Sequence, residues 1–197
     1  VDEWKIDIVP DVWDSDPVHI VDGKILVPQN VWFIGTANRD DSTFTITDKV
    51  YDRAISIEMN NRAPYIDVPY TESIEMTYEY FESLCKKGIE ENPLSSKSLE
   101  KLAKLDEFVA DKFKITFGNR ILKQIKLFVP AFVACGGDET DGLDYIVFRK
   151  IFRKFETLNI AFLKDEIAQL ISLLDKLFGK NAFAESIKYL QELAKNA

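Results

Sequence analysis

The run Val31-Trp32-Phe33-Ile34-Gly35 constrains this chain more than any other feature. Four large apolar residues stand in a row with no polar alternation, so a strand made from them buries both faces. The run stops at the polar stretch Thr36-Ala37-Asn38-Arg39-Asp40-Asp41-Ser42-Thr43. A doubly buried strand ending in a polar turn belongs in an α/β sheet, whose ligands bind beyond the C-terminal strand ends.

The surrounding residues extend this reading. Lys5-Ile6-Asp7-Ile8-Val9-Pro10 alternates as a half-buried strand does. Residues 11–17 read as loop. Val18 to Val21 and Lys24 to Val27 form a hairpin, because the intervening Asp22-Gly23 suits the positive φ angles of a tight turn. Downstream, Thr47 or Asp48 caps a short helix to about Ala54, and Ile55-Ser56-Ile57-Glu58-Met59 is a second strand. Two such strands and one short helix cannot cover both faces of a parallel sheet. The expectation is therefore that the remaining strands lie upstream of Val1.

Pro64 and Pro69 bracket a change of character, giving an expected division into residues 1–68 and 69–197. Helices fill the second part. One starts at Thr71 or Glu72 and runs to about Glu91, stopped near Pro93. Ser95 or Ser96 caps the next, with Leu99, Leu102, Leu105, Val109 and Phe113 at helical spacing. A third follows Phe117-Gly118-Asn119 and ends before Gly136, with Pro130 set to kink or split it. A fourth covers about Gly142 to Glu156. Ile167, Leu170, Ile171, Leu174, Leu177 and Phe178 make a one-sided stripe ending at Gly179, and Phe183, Ile187, Leu190 and Leu193 make the last. The expected fold class is mainly α with a small β portion.

Composition excludes several chemistries. The net charge of −8 argues against a chain coated for nucleic acid. Cys85 and Cys135 lack C-x-x-C spacing, which fits a reducing cytoplasm rather than a zinc site. His19 is the sole histidine, too few for a multi-histidine metal site or a ready catalytic triad. No apolar run approaches the ~20 residues a membrane span needs.

The residues Asn30 to Asp40 and Asp48-Lys49-Val50-Tyr51-Asp52-Arg53-Ala54 resemble the sensor 1 strand and following helix of the AAA+ superfamily. The closest resemblance is to the McrB-type and MoxR-type branch, whose strand pattern P-x-N-h-x-h-I-G-T-x-N is met by Pro28, Asn30, Ile34-Gly35-Thr36 and Asn38. The resemblance covers about residues 20 to 156. It implies a partial AAA+ α/β core with a β-hairpin, followed by a helical lid. It makes Asn38 the catalytic and nucleotide-binding residue that orients the attacking water, since an amide both donates and accepts. Arg53 falls where the arginine finger of such motors lies, reaching a neighbouring subunit's nucleotide. The branch often has two or three arginines there and this chain has one, with Arg39 and Arg62 as rivals. Arg120, near the start of a lid helix, takes the place of sensor 2, a nucleotide-binding arginine. ATP or GTP with Mg2+ is the implied cofactor. A ring of identical subunits, commonly six, is the implied assembly, with DNA or a partner protein met through other domains.

The phosphate-binding motif G-x-x-x-x-G-K-[ST] is absent among the eight glycines. So is an apolar strand ending in Asp-Glu, since Val1-Asp2-Glu3 has no such run before it. The chain is therefore expected to be the C-terminal part of a motor, joined to an upstream half and inactive alone. A stand-alone helical interaction module is the alternative, and an enzyme with an acidic active site ranks last. Asp138-Glu139-Thr140-Asp141-Gly142 reads as a helix cap rather than a calcium loop. Arg149, Lys150, Arg153 and Lys154 share one helical face and read as a solvated or subunit-facing surface, with DNA as the less favoured partner.

Overall fold

The computed structural model of the chain describes residues 3–10, 17–37, 48–51, 53–57, 59, 62 and 64–196. They are mainly helical with a small antiparallel sheet, as the sequence leads one to expect. Two compact units emerge: Val1–Phe44 with Ile74–Phe81, and Thr45–Ser73 with Glu82–Ala197.

The first unit is built on strands β1 (Trp4–Asp7), β2 (Ile20–Val21) and β3 (Lys24–Val27), in the order β1-β3-β2. Asp22 and Gly23 have φ of 52° and 72°, so the hairpin turn takes the left-handed form that this dipeptide favours. β1 adds antiparallel to the other side of β3, with Trp4 opposite Val27 and Asp7 opposite Lys24. The Ile8 and Val9 amides then donate to the Gly23 carbonyl.

The expected strand at 31–35 is not formed. Residues 31–37 have no regular structure, and Ile34 is 93% exposed. The second expected strand fails likewise: Ile55 and Ile57 are exposed and unladdered. The physical reason is shared. A strand is held by hydrogen bonds to a neighbour, and among the described residues no strand lies beside either segment. Aromatic contacts are what hold 31–34 instead. Phe33 packs edge-on against Trp4 at 5.6 Å, and Trp32 against Phe81 at 5.8 Å.

Between the expected strands, α1 (Asp48–Tyr51) is one turn long. The Arg53 and Ala54 amides close it by donating to the Val50 carbonyl. α2 (Tyr78–Glu91) begins later than the sequence suggests, because the Thr77 hydroxyl accepts from the Tyr80 amide and sets the start.

The second unit is a bundle of α3 (Ser96–Phe113), α4 (Gly118–Ala134), α5 (Glu139–Lys150), α6 (Lys164–Phe178) and α7 (Ala184–Lys195). Its core takes side chains from every one of these helices. Leu102, Leu105 and Val109 come from α3, Ile121, Ile125 and Val129 from α4, and Ile167, Leu170 and Leu174 from α6. Each contributes roughly 1.5–3 kcal/mol on burial. Ser95 caps α3 by accepting from the Ser98 amide, as expected. Gly88 of α2 lies so close to α4 that a Cβ there would stand 2.8 Å from Ala134 Cβ.

Two expectations about helix continuity change. Pro130 neither splits nor ends α4; the helix continues four residues beyond it to Ala134, and the ring forfeits only the one bond its nitrogen would donate to the carbonyl of residue 126. The fourth helix does not run through to Glu156. It stops at Lys150, and Phe152–Thr157 winds as a 3-10 helix. That tighter winding eclipses residues three apart, which aims both Phe152 and Phe155 inward. Phe155 stacks on Phe113 at 4.3 Å.

Candidate nucleotide-site elements

The hairpin delivers the chain from Val27 through Pro28 into the 31–37 segment, and the Val31 amide donates back to the Pro28 carbonyl at 3.2 Å. Asn38 and its neighbour Arg39 lie outside the described residues. Arg53 and Arg62 are described, and both are exposed. Among the described residues the Arg53 guanidinium has no ion-pair partner. Its backbone, by contrast, is fixed in the closing turn of α1.

That turn is gripped from α5. Lys150 is only 2% exposed, and its ammonium donates to the Ala54 carbonyl at 2.7 Å. Arg149 donates through Nε to the Ser56 carbonyl at 3.2 Å. Its Nη1 donates to both the Tyr145 carbonyl, at 3.3 Å, and the Glu185 carboxylate, at 2.9 Å. The guanidinium lies over the Tyr145 ring, its central carbon 3.5 Å from the ring centre.

Of the face expected to be solvated or subunit-facing, Arg149, Lys150 and Arg153 are instead largely withdrawn from solvent. Arg149 and Lys150 are committed to backbone carbonyls, and Arg153 is buried against Glu156. α5 explains why. Leu143, Ile146, Val147 and Phe148 are buried around much of its circumference, so a cation on it has little open water to reach. That apolar content was the signal in the sequence.

Arg120 is the third residue of α4 and is exposed. No side chain caps the start of α4, although the preceding Phe117 amide donates to Asp106 at 2.9 Å. Arg120 thus stands beside backbone amides at a positive helix end, where an anion would be favoured. No hydrogen bond or ion pair among the described residues joins it to Arg53.

Three carboxylates, Asp138, Glu139 and Asp144, organise the bundle. Asp138 caps α5 through the Thr140 amide, and Glu139 reaches across to α3. There it accepts from the Ser95 amide at 3.0 Å, from the Ser95 hydroxyl at 2.9 Å and from the Ser98 hydroxyl. Burial pushes its carboxyl up, but the serine hydrogen bonds outweigh burial and leave it below the ordinary range. Asp144 is buried and accepts from the Glu185 amide at 2.9 Å, the Ser186 amide at 3.1 Å and the Ser186 hydroxyl. Here burial prevails over those bonds and pushes the carboxyl up. Burial likewise raises the Tyr189 hydroxyl, with the Glu156 carboxylate beside it adding to the effect.

The sheet unit carries a hollow lined by Glu3, Trp4, Val27, Pro28 and Tyr78, among others. An acidic side chain among apolar walls does not suit a phosphate, and neither Arg53 nor Arg120 lines it. The described residues contain no cluster of three or more metal-ligating side chains. No helix among them is long and apolar enough to cross a membrane.

Comparison of the chain with protein-family models, with curated proteins and with solved structures finds no match.

Proposed function

We propose that this chain supplies the sensor 1, arginine-finger and lid elements of a AAA+ nucleoside-triphosphatase, and that the phosphate-binding loop of the same site comes from another segment. The observation that carries the reading is the motif from Pro28 to Asn38 followed by the helix that ends at Arg53. Several features support it. The Val31–Ile34 and Ile55–Ile57 segments have strand-like sequences and exposed apolar side chains, as sheet strands without their neighbours would. Arg53 and Arg120 present exposed cations, each on a defined backbone.

In this reading Asn38 orients the attacking water, Arg120 contacts the nucleotide phosphates of its own subunit, and Arg53 stabilises transition-state charge in the neighbouring one. ATP or GTP is the substrate. Among the described residues no group of three or more metal-ligating side chains occurs, and in this reading the Mg2+ ligands come with the segment bearing the phosphate-binding loop. The assembly is a ring of identical subunits working in the cytoplasm, a setting that suits two unpaired cysteines.

The test joins this chain to the adjoining encoded segment and follows ATP and GTP turnover. Turnover is expected from the joined protein and from neither part. Asn38→Ala abolishes it, and Arg53→Ala lowers kcat by about 10³-fold or more. Tight nucleotide binding by the chain alone, or the lack of a phosphate-binding loop in the adjoining reading frame, overturns the proposal.

A further inference from the structure

We infer that Lys150 and Arg149 are positioning residues for Arg53, an inference that rests on the reading of Arg53 as the residue acting in trans. An arginine that must reach another subunit's phosphate needs a fixed base, and α1 is too short to provide one. A single turn closes one or two hydrogen bonds against the entropy of several ordered residues. The bonds that close it run from the Arg53 and Ala54 amides to the Val50 carbonyl, at 3.0 and 2.8 Å.

The structure provides the missing anchorage from 96 residues further along the chain. The Lys150 ammonium takes the Ala54 carbonyl, one residue beyond Arg53, and Arg149 takes the Ser56 carbonyl two residues later. Lys150 is buried, which strengthens its bond and makes any other position for its charge costly. Arg149 is itself set by the Tyr145 ring beneath it and by Glu185. Glu185 in turn lies at the start of α7, whose amides are held by Asp144 of α5. A continuous set of contacts therefore runs from α7 through α5 to the backbone that carries Arg53. Movement of this end of the bundle would move Arg53 with it.

The experiment has two arms. In the chain alone, amide exchange at Arg53 and Ala54 is read by NMR for the wild type, Lys150→Met and Arg149→Gln. Loss of either clasp should speed exchange at these two amides by about tenfold, with amides of α6 unchanged. In the joined protein, Lys150→Met should lower kcat with KM unchanged, and should lower it no further when Arg53→Ala is already present. A merely structural role for Lys150 would instead speed exchange throughout the bundle and add to the Arg53→Ala loss. Unchanged exchange at Arg53 and Ala54 in both variants overturns the clasp, whatever turnover does. Faster exchange combined with no effect of Arg53→Ala on turnover leaves the clasp standing and overturns the role given to Arg53.

Discussion

Replacing Asp144 with alanine should cost the bundle about 3 kcal/mol, and the reasoning can be followed bond by bond. α7 has no side-chain cap of its own, since Phe183 stands at the capping position. Asp144 replaces that cap from 41 and 42 residues away by accepting from the Glu185 and Ser186 amides. It also holds the Ser186 hydroxyl, which is fully buried. Loss of an ordinary cap costs ~0.5–2 kcal/mol. A buried donor left without a partner adds ~1–3 kcal/mol, and beyond the capped amides Asp144→Ala strands the Ser186 hydroxyl. Against this stands the cost of burying the carboxylate in the wild type, which holds the loss to about 3 kcal/mol. Asp144→Asn keeps an acceptor of the same shape and should lose only about half as much. Urea unfolding at pH 7, followed by helical circular dichroism, measures both. For a domain of this size the alanine variant should melt roughly 6–12 °C lower. The double variant with Ser186→Ala should be less destabilised than the two single losses summed, by ~1 kcal/mol or more. A loss below 1 kcal/mol for Asp144→Ala, or strict additivity with Ser186→Ala, would refute the reasoning.

Two further outcomes follow from neighbouring contacts. Glu139 has a carboxyl held below its ordinary value, so its contribution to stability is present above the unfolded glutamate range near 4.5 and lost as pH falls through the lower folded value. Glu139→Gln should therefore flatten the acid limb of a melting-temperature profile while lowering stability at neutral pH; an unchanged acid limb would contradict this. Gly88→Ala places a methyl 2.8 Å from Ala134 Cβ, a rigid stub that can yield only by moving α2 or α4. Overpacking of ~1–3 kcal/mol should outweigh the ~1 kcal/mol gained in helix propensity. Adding Ala134→Gly should restore most of the loss, as thermal melts would report.

The residues told the helical half of the fold well and the sheet half poorly. α3 and α6 were legible because their apolar residues recur at helical spacing and their ends carry punctuation, Ser95 at one and Gly179 at the other. The hairpin was legible because Asp22-Gly23 is a local instruction needing no distant partner. The strand at Val31–Gly35 was misjudged because strand formation is not local: an apolar run states a preference, and a neighbour's backbone must meet it. The break at Lys150 was hidden for a related reason, since Phe152 and Phe155 fit a helical stripe and a 3-10 turn alike. Of the candidate site, Arg53 and Arg120 came from motif position and are exposed, while Asn38 lies outside the described residues. Lys150 was read as a surface charge because only the fold reveals that it faces the Ala54 carbonyl.

The tertiary cap on α7 bears on how the protein is made. The instruction that starts this helix is written on α5, and the groups it satisfies emerge from the ribosome some forty residues later. Until Glu185 and Ser186 have been synthesised, Asp144 is a charge beside apolar surface with nothing to answer it. Phe183, Ile187 and Leu190 are likewise core residues that arrive late. The core stays incomplete during synthesis of the first four helices of the bundle, and a nascent chain paused before α7 should be more open to proteases and chaperones than the finished one. The segment about which the motifs said least is thus the one whose arrival completes the fold.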